Sequence, residues 1–95
     1  MSTNTSNANN HIIEFFLWED DDLLEIQLEP EAIIFRVEPG NSIKFIATNC
    51  TMEFLWAVRI SGKDNGLQLY PESKGSYDIE IYENDTLLDN WFKYM

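Results

Sequence analysis

Apolar and polar residues alternate with a period of two through most of this chain, which is the pattern of strands with one face turned to a core. Ser42 to Thr48 sets Ile43, Phe45 and Ala47 against Ser42, Lys44 and Thr48, directly after a Pro39-Gly40-Asn41 turn. Met52 to Ile60 places Met52, Phe54, Trp56, Val58 and Ile60 on one face, with Glu53 and Arg59 on the other. Leu24, Ile26 and Leu28 oppose Glu25, Gln27 and Glu29 before Pro30, and Ile33, Phe35 and Val37 form the next inward set. Asp64-Asn65-Gly66 turns the chain into a short strand from Leu67 to Tyr70, which Pro71 is expected to end. Tyr77, Ile79 and Ile81 alternate with Asp78 and Glu80, and Asn84-Asp85 is a two-residue reversal into Thr86-Leu87-Leu88. From Asp85 to Met95 a helical spacing of Leu88, Trp91, Phe92 and Met95 competes with this terminal strand.

Short strands separated by turn residues about every ten positions predict an all-β domain. Its expected form is a small antiparallel two-sheet sandwich of about seven strands, Ig-like or Greek-key, with a small barrel as the alternative. The predicted core centres on Phe45, Phe54, Trp56, Val58, Ile79 and Ile81. Ile12 to Trp18 departs from the rule. It carries Ile13, Phe15 and Leu17 on one face and Ile12, Phe16 and Trp18 on the other, with only Glu14 interrupting. One face can enter the core, and the other needs cover from a second sheet, from Trp91-Phe92 or from a partner.

Residues 1–10 are, after Met1, Ser, Thr and Asn with one Ala, and they read as a flexible leader to a single domain at 11–95. A 95-residue chain has room for one core. Its formal net charge of -11 would suit a disordered acidic tail, but a 44% hydrophobic and 14% aromatic composition argues for folding. Cys50 is alone and no secretory pattern opens the chain, so a reducing, cytoplasmic setting is expected. The Asn-x-Ser/Thr triplets at Asn4, Asn49 and Asn84 are then matters of composition. Apolar runs are too short for a membrane-spanning helix.

The segment Val37-Glu38-Pro39-Gly40-Asn41-Ser42-Ile43-Lys44-Phe45, with the later Gly75-Ser76-Tyr77, resembles the strand-turn-strand and penultimate-strand phrases of copper-binding cupredoxin sandwiches. The resemblance implies a sandwich. Copper in that family needs two His, a Cys and usually an axial Met close together, whereas this chain has only His11, so the likeness implies no copper site here.

Candidate chemistry is thin. His11, the sole imidazole, precedes the constrained part of the chain and offers no triad. Cys50 sits in a negative local field, which raises a thiol pKa and disfavours a thiolate nucleophile. The four glycines are scattered one to a turn, unlike a phosphate-binding loop. Asp78 and Glu80 share a strand face, so a small enzyme with a carboxylate site is a third-ranked reading. Glu19-Asp20-Asp21-Asp22 is the sharpest local feature. As a calcium loop it would use Asp20, Asp22 and Glu31 at the first, third and twelfth positions, but Leu24 and Glu25 occupy the fifth and sixth, where a ligand and a Gly belong. An irregular calcium-binding sensor or buffer is therefore the alternative function.

Six basic residues against 17 acidic ones disfavour direct nucleic-acid binding and anionic membranes. They favour a basic protein partner, with a homo-oligomer left open. The preferred expectation is a non-enzymatic acidic protein-binding module, a regulator, inhibitor or immunity-type protein, that uses Phe16 and Trp18 as anchor and Glu19, Asp20, Asp21 and Asp22 as charged rim.

Overall fold

The computed structural model describes residues 11–60 and 66–89. Among the described residues eight strands run in the order β1 (His11–Phe16), β2 (Leu24–Leu28), β3 (Ile33–Val37), β4 (Ser42–Thr48), β5 (Phe54–Ile60), β6 (Gly66–Ser73), β7 (Asp78–Glu83) and β8 (Thr86–Leu87). They form two four-stranded sheets, ordered β1-β4-β7-β8 and β3-β2-β6-β5. The first is antiparallel throughout, and the second is mixed because β2 and β6 run parallel, with Ile26 opposite Leu67 and Leu28 opposite Leu69. The expected two-sheet sandwich is therefore present, with one parallel pair where antiparallel sheets were expected, and without closure into a barrel.

The core lies between the sheets because each inner strand offers every second side chain to it. Ile43, Phe45 and Ile81 from one sheet meet Ile26, Leu28, Val37 and Leu69 from the other. Phe45 is fully buried at the centre, in edge-on contact with Phe15, Phe35 and Trp56 at centroid distances of 6.3, 5.6 and 6.2 Å. Phe54 and Ala47 belong to a smaller cluster with Cys50, against which Trp56 and Tyr77 pack. Trp56 is half-buried and its Nε1 donates to the His11 carbonyl, 3.1 Å, which ties β5 to β1.

Two expectations need correction. Val58 has inward parity on β5 yet is 42% exposed, and Ile60 is 75% exposed; β5 ends its sheet, and neither side chain joins the packed core. Pro71 does not end its strand, since β6 continues through it to Ser73, with Pro71 opposite Trp56. The Leu69 carbonyl accepts from Glu29 N–H on the β2 side, so Pro71, two residues on, turns its missing donor toward the same side, beyond the end of β2.

The Asn84-Asp85 reversal is present as expected. Both residues have positive φ, 50° and 66°, as a two-residue hairpin turn requires. Asn84 also accepts Ser42 N–H at its Oδ1, 2.9 Å, and returns its own N–H to the Ser42 carbonyl, 3.1 Å, which anchors the turn to the start of β4. The Asp64-Asn65 turn and the Trp91-Phe92 segment lie outside the described residues.

Candidate functional site

Among the described residues β1 is an edge strand paired with β4 alone, and its two faces have different fates because one turns to the core and the other away from it. Ile13, Phe15 and Leu17 pack against the core, while Ile12, Phe16 and Trp18 are 59%, 64% and 66% exposed. The apolar second face that the sequence left unassigned is open.

The loop after β1 is held by its own backbone. Trp18 N–H donates to Asp21 Oδ2 at 2.7 Å, and the Trp18 carbonyl accepts from both Asp21 N–H, 3.1 Å, and Gly40 N–H, 3.2 Å. Leu17 N–H reaches the Asn41 carbonyl at 2.9 Å. The β1–β2 loop is thus braced on the β3–β4 turn. Gly40 enables that brace with φ of +85°, and a Cβ there would come within 3.3 Å of Glu19 Cγ.

Phe16, Leu17, Trp18, Glu19, Asp20 and Gly40 line an open groove of about 530 Å³. Glu19, Asp20, Asp21 and Asp22 are all exposed around it. The ion pairs among the described residues are Arg36–Glu25, 2.9 Å, and Lys44–Asp85, 3.8 Å, and neither involves this acidic run. The Lys44 ammonium instead lies beside Asp85 and 5.3 Å from the centre of the Tyr82 ring, on the outer face of the same sheet. The structure therefore brings Phe16, Trp18, Glu19 and Asp20 to one groove, with Asp21 acting as the backbone acceptor that shapes its loop. The sequence placed Gly40 in a turn but did not show the role of Asp21 or the contact of Gly40 with this loop, because a Gly following Pro marks a turn but not what leans on it.

Asp20, Asp22 and Glu31 are not gathered. Among the described residues no group of three or more His, Cys, Asp or Glu side chains is arranged to hold a metal ion. A second hollow, about 680 Å³, is an open trough that carries Glu53, Leu55, Glu72 and Lys74.

Cys50 is buried, and burial first, then the nearby Asp78 carboxylate, pushes its thiol pKa up. Burial likewise raises the Tyr77 phenol, with Glu31 and Cys50 adding to the shift. Both groups are neutral when protonated and both are raised on folding, so they favour the folded state below their unfolded pKa values and cease to as pH rises through the folded ones. A stability profile recorded by urea melts should consequently fall on the alkaline side, and Tyr77→Phe should flatten that fall. An unchanged profile in the variant would remove Tyr77 as a cause.

Fold and surface together define an all-β sandwich with a backbone-pinned aromatic face rimmed by carboxylates. No protein-family model matches the chain, and comparison with curated proteins and with solved structures finds no significant match either.

Proposed function

We propose that this protein is a non-enzymatic binding module that docks its Phe16–Trp18 face on a basic, partly apolar patch of a larger protein. The observation that carries the reading is the exposure of both aromatic rings beside four carboxylates that have no ion-pair partner among the described residues. Aromatic anchors are the side chains that most often dominate interface energies, and a desolvated rim charge slows escape once paired. The pinned Trp18 backbone limits the ordering cost of association. A net charge of -11 steers a cationic partner toward the protein over distances longer than any contact.

The test replaces Asp20, Asp21 and Asp22 together with Asn, which keeps shape and an oxygen acceptor for Trp18 N–H while removing charge. A protein captured on the immobilised domain and identified should be basic. Its isotherm should weaken at least tenfold with the triple variant and with Phe16→Ala/Trp18→Ala, while urea midpoints stay close to wild type. A captured partner that is acidic, or an isotherm indifferent to both variants, refutes the reading. A triple variant that fails to fold would show that these carboxylates support the fold instead.

A further inference from the structure

Sheet edges expose unpaired backbone groups, and proteins ordinarily blunt them with Pro, Lys, bulges or short strands. β5 is seven residues long, Phe54 to Ile60, and contains no Pro, no Lys and no carboxylate. It pairs with β6 on one side and closes its sheet on the other. The direction of its free groups follows from the ladder. Leu69 turns its carbonyl to the β2 side, so the alternate residues Gln68, Tyr70 and Glu72 face β5. Their partners Arg59, Ala57 and Leu55 complete those bonds. Phe54, Trp56, Val58 and Ile60 accordingly direct N–H and C=O off the edge, where no backbone hydrogen bond is made among the described residues. The Trp56 side chain is engaged inward, with the His11 carbonyl, which leaves its main chain facing outward.

The charges flanking this edge are self-complementary. Glu53, the residue just before β5, and Arg59 are each three residues from Trp56, and both are exposed. Among the described residues neither takes part in an ion pair, and Arg59 commits only Nη1, to Gln68 Oε1 at 2.7 Å. A two-fold contact brings each residue of a surface against its own symmetry mate, so a strand that pairs with itself must match its own reverse. With Trp56 on the axis, Phe54 stands opposite Val58 of the second copy, both with outward-directed backbone groups, and Glu53 stands opposite Arg59.

We propose that β5 is a self-association edge, on which two copies of this chain pair antiparallel about Trp56 with Glu53 of each facing Arg59 of the other. The occupant is a second copy because the edge matches its own reverse in both hydrogen bonding and charge. Two strands of this length bury less than a standard interface, so the dimer is weak and concentration-dependent. The like charge of the two bodies opposes it at low ionic strength. At about 0.15 M salt, where the screening length is ~8 Å, body repulsion is damped while a contact ion pair survives.

Sedimentation velocity across about 10 µM to 1 mM protein tests the pairing, in the concentration range where small interfaces assemble. The wild type should shift toward dimer as concentration rises. Glu53→Arg alone and Arg59→Glu alone place like charges opposite each other, and each should weaken dimerisation at least tenfold. The double swap Glu53→Arg/Arg59→Glu restores opposite charges and should recover the wild-type curve. Val58→Pro removes an outward N–H without touching the β6 ladder, and should leave a folded monomer. Circular dichroism and urea midpoints confirm that each variant is folded. A wild type that stays monomeric throughout overturns the proposal, as does a dimer indifferent to the single swaps or a double swap no better than either single.

Discussion

Phe45→Ala should cost about 3 to 5 kcal/mol, the usual range for truncating a large aromatic side chain in a core. The expectation rests on position: Phe45 is fully buried at the centre of β4, itself an inner strand, and three aromatic rings meet it edge-on. Those rings come from β1, β3 and β5, so one deletion loosens both sheets at once. Each aromatic pair adds about 0.5 to 1.5 kcal/mol beyond area burial. A domain this small has about 5 to 15 kcal/mol in total, and the loss would leave it near the edge of folding. Urea melts of the variant should show a much lower midpoint, while Phe45→Leu, which retains most of the volume, should lose far less. A loss below about 1 kcal/mol for Phe45→Ala would mean that the sheets close over the gap and that Phe45 is no hub.

Gly75→Ala is the second large effect, and it acts without touching the central core. The β4–β5 and β6–β7 loops are stitched together here. Thr51 N–H donates to the Ser76 carbonyl at 3.0 Å, and Ser76 N–H donates to Thr51 Oγ1 at 2.8 Å. Gly75 lies against this stitch so closely that an added Cβ would fall 2.9 Å from Met52 Cβ, and closer still to Thr51 Oγ1. Such contacts force the two loops apart, at a cost of about 1 to 3 kcal/mol. Cys50 sits immediately behind the stitch and is buried in the wild type. A second readout therefore accompanies the lower urea midpoint: Cys50 should react faster with a thiol reagent under native conditions. Unchanged thiol kinetics would show that the loops yield without opening.

Alternation found β4 without error, because Ile43, Phe45 and Ala47 are buried while each residue between them is not. It failed at Val58 for a reason the same pattern could never report. Parity fixes which face a side chain takes, but burial depends on what stands opposite, and on the edge strand β5 Val58 and Ile60 stay open. Pro71 misled in a similar way, since a proline excludes a hydrogen bond on one side only and the sequence does not say where β2 stops. The parallel pairing of β2 and β6 leaves no local trace, because each strand reads the same whichever way its neighbour runs. Phe16 and Trp18 were legible as a surplus of apolar residues. Their exposure was not, because it depends on the outward face of β1 having no cover, which alternation alone does not report. The acidic rim was plain in Glu19 to Asp22, whereas the Asp21 and Gly40 contacts that fix its loop depend on residues brought from beyond β3.

The division of strands between the sheets also sets the order in which the protein can be assembled. Among the described strands only β2–β3, β5–β6 and β7–β8 are neighbours consecutive in sequence, and β4 must find β1 far behind it and β7 far ahead. Closing such distant contacts carries a chain-entropy cost before any reward arrives, which puts folding on the millisecond-to-second scale typical of sandwiches rather than the microseconds of helical bundles. On the ribosome the consequence is sharper. The hairpins can form as they emerge, but β4 stays without its second neighbour until Glu83 has left the exit tunnel, so Phe45 and the rings around it gain their enclosure only after β7 has emerged.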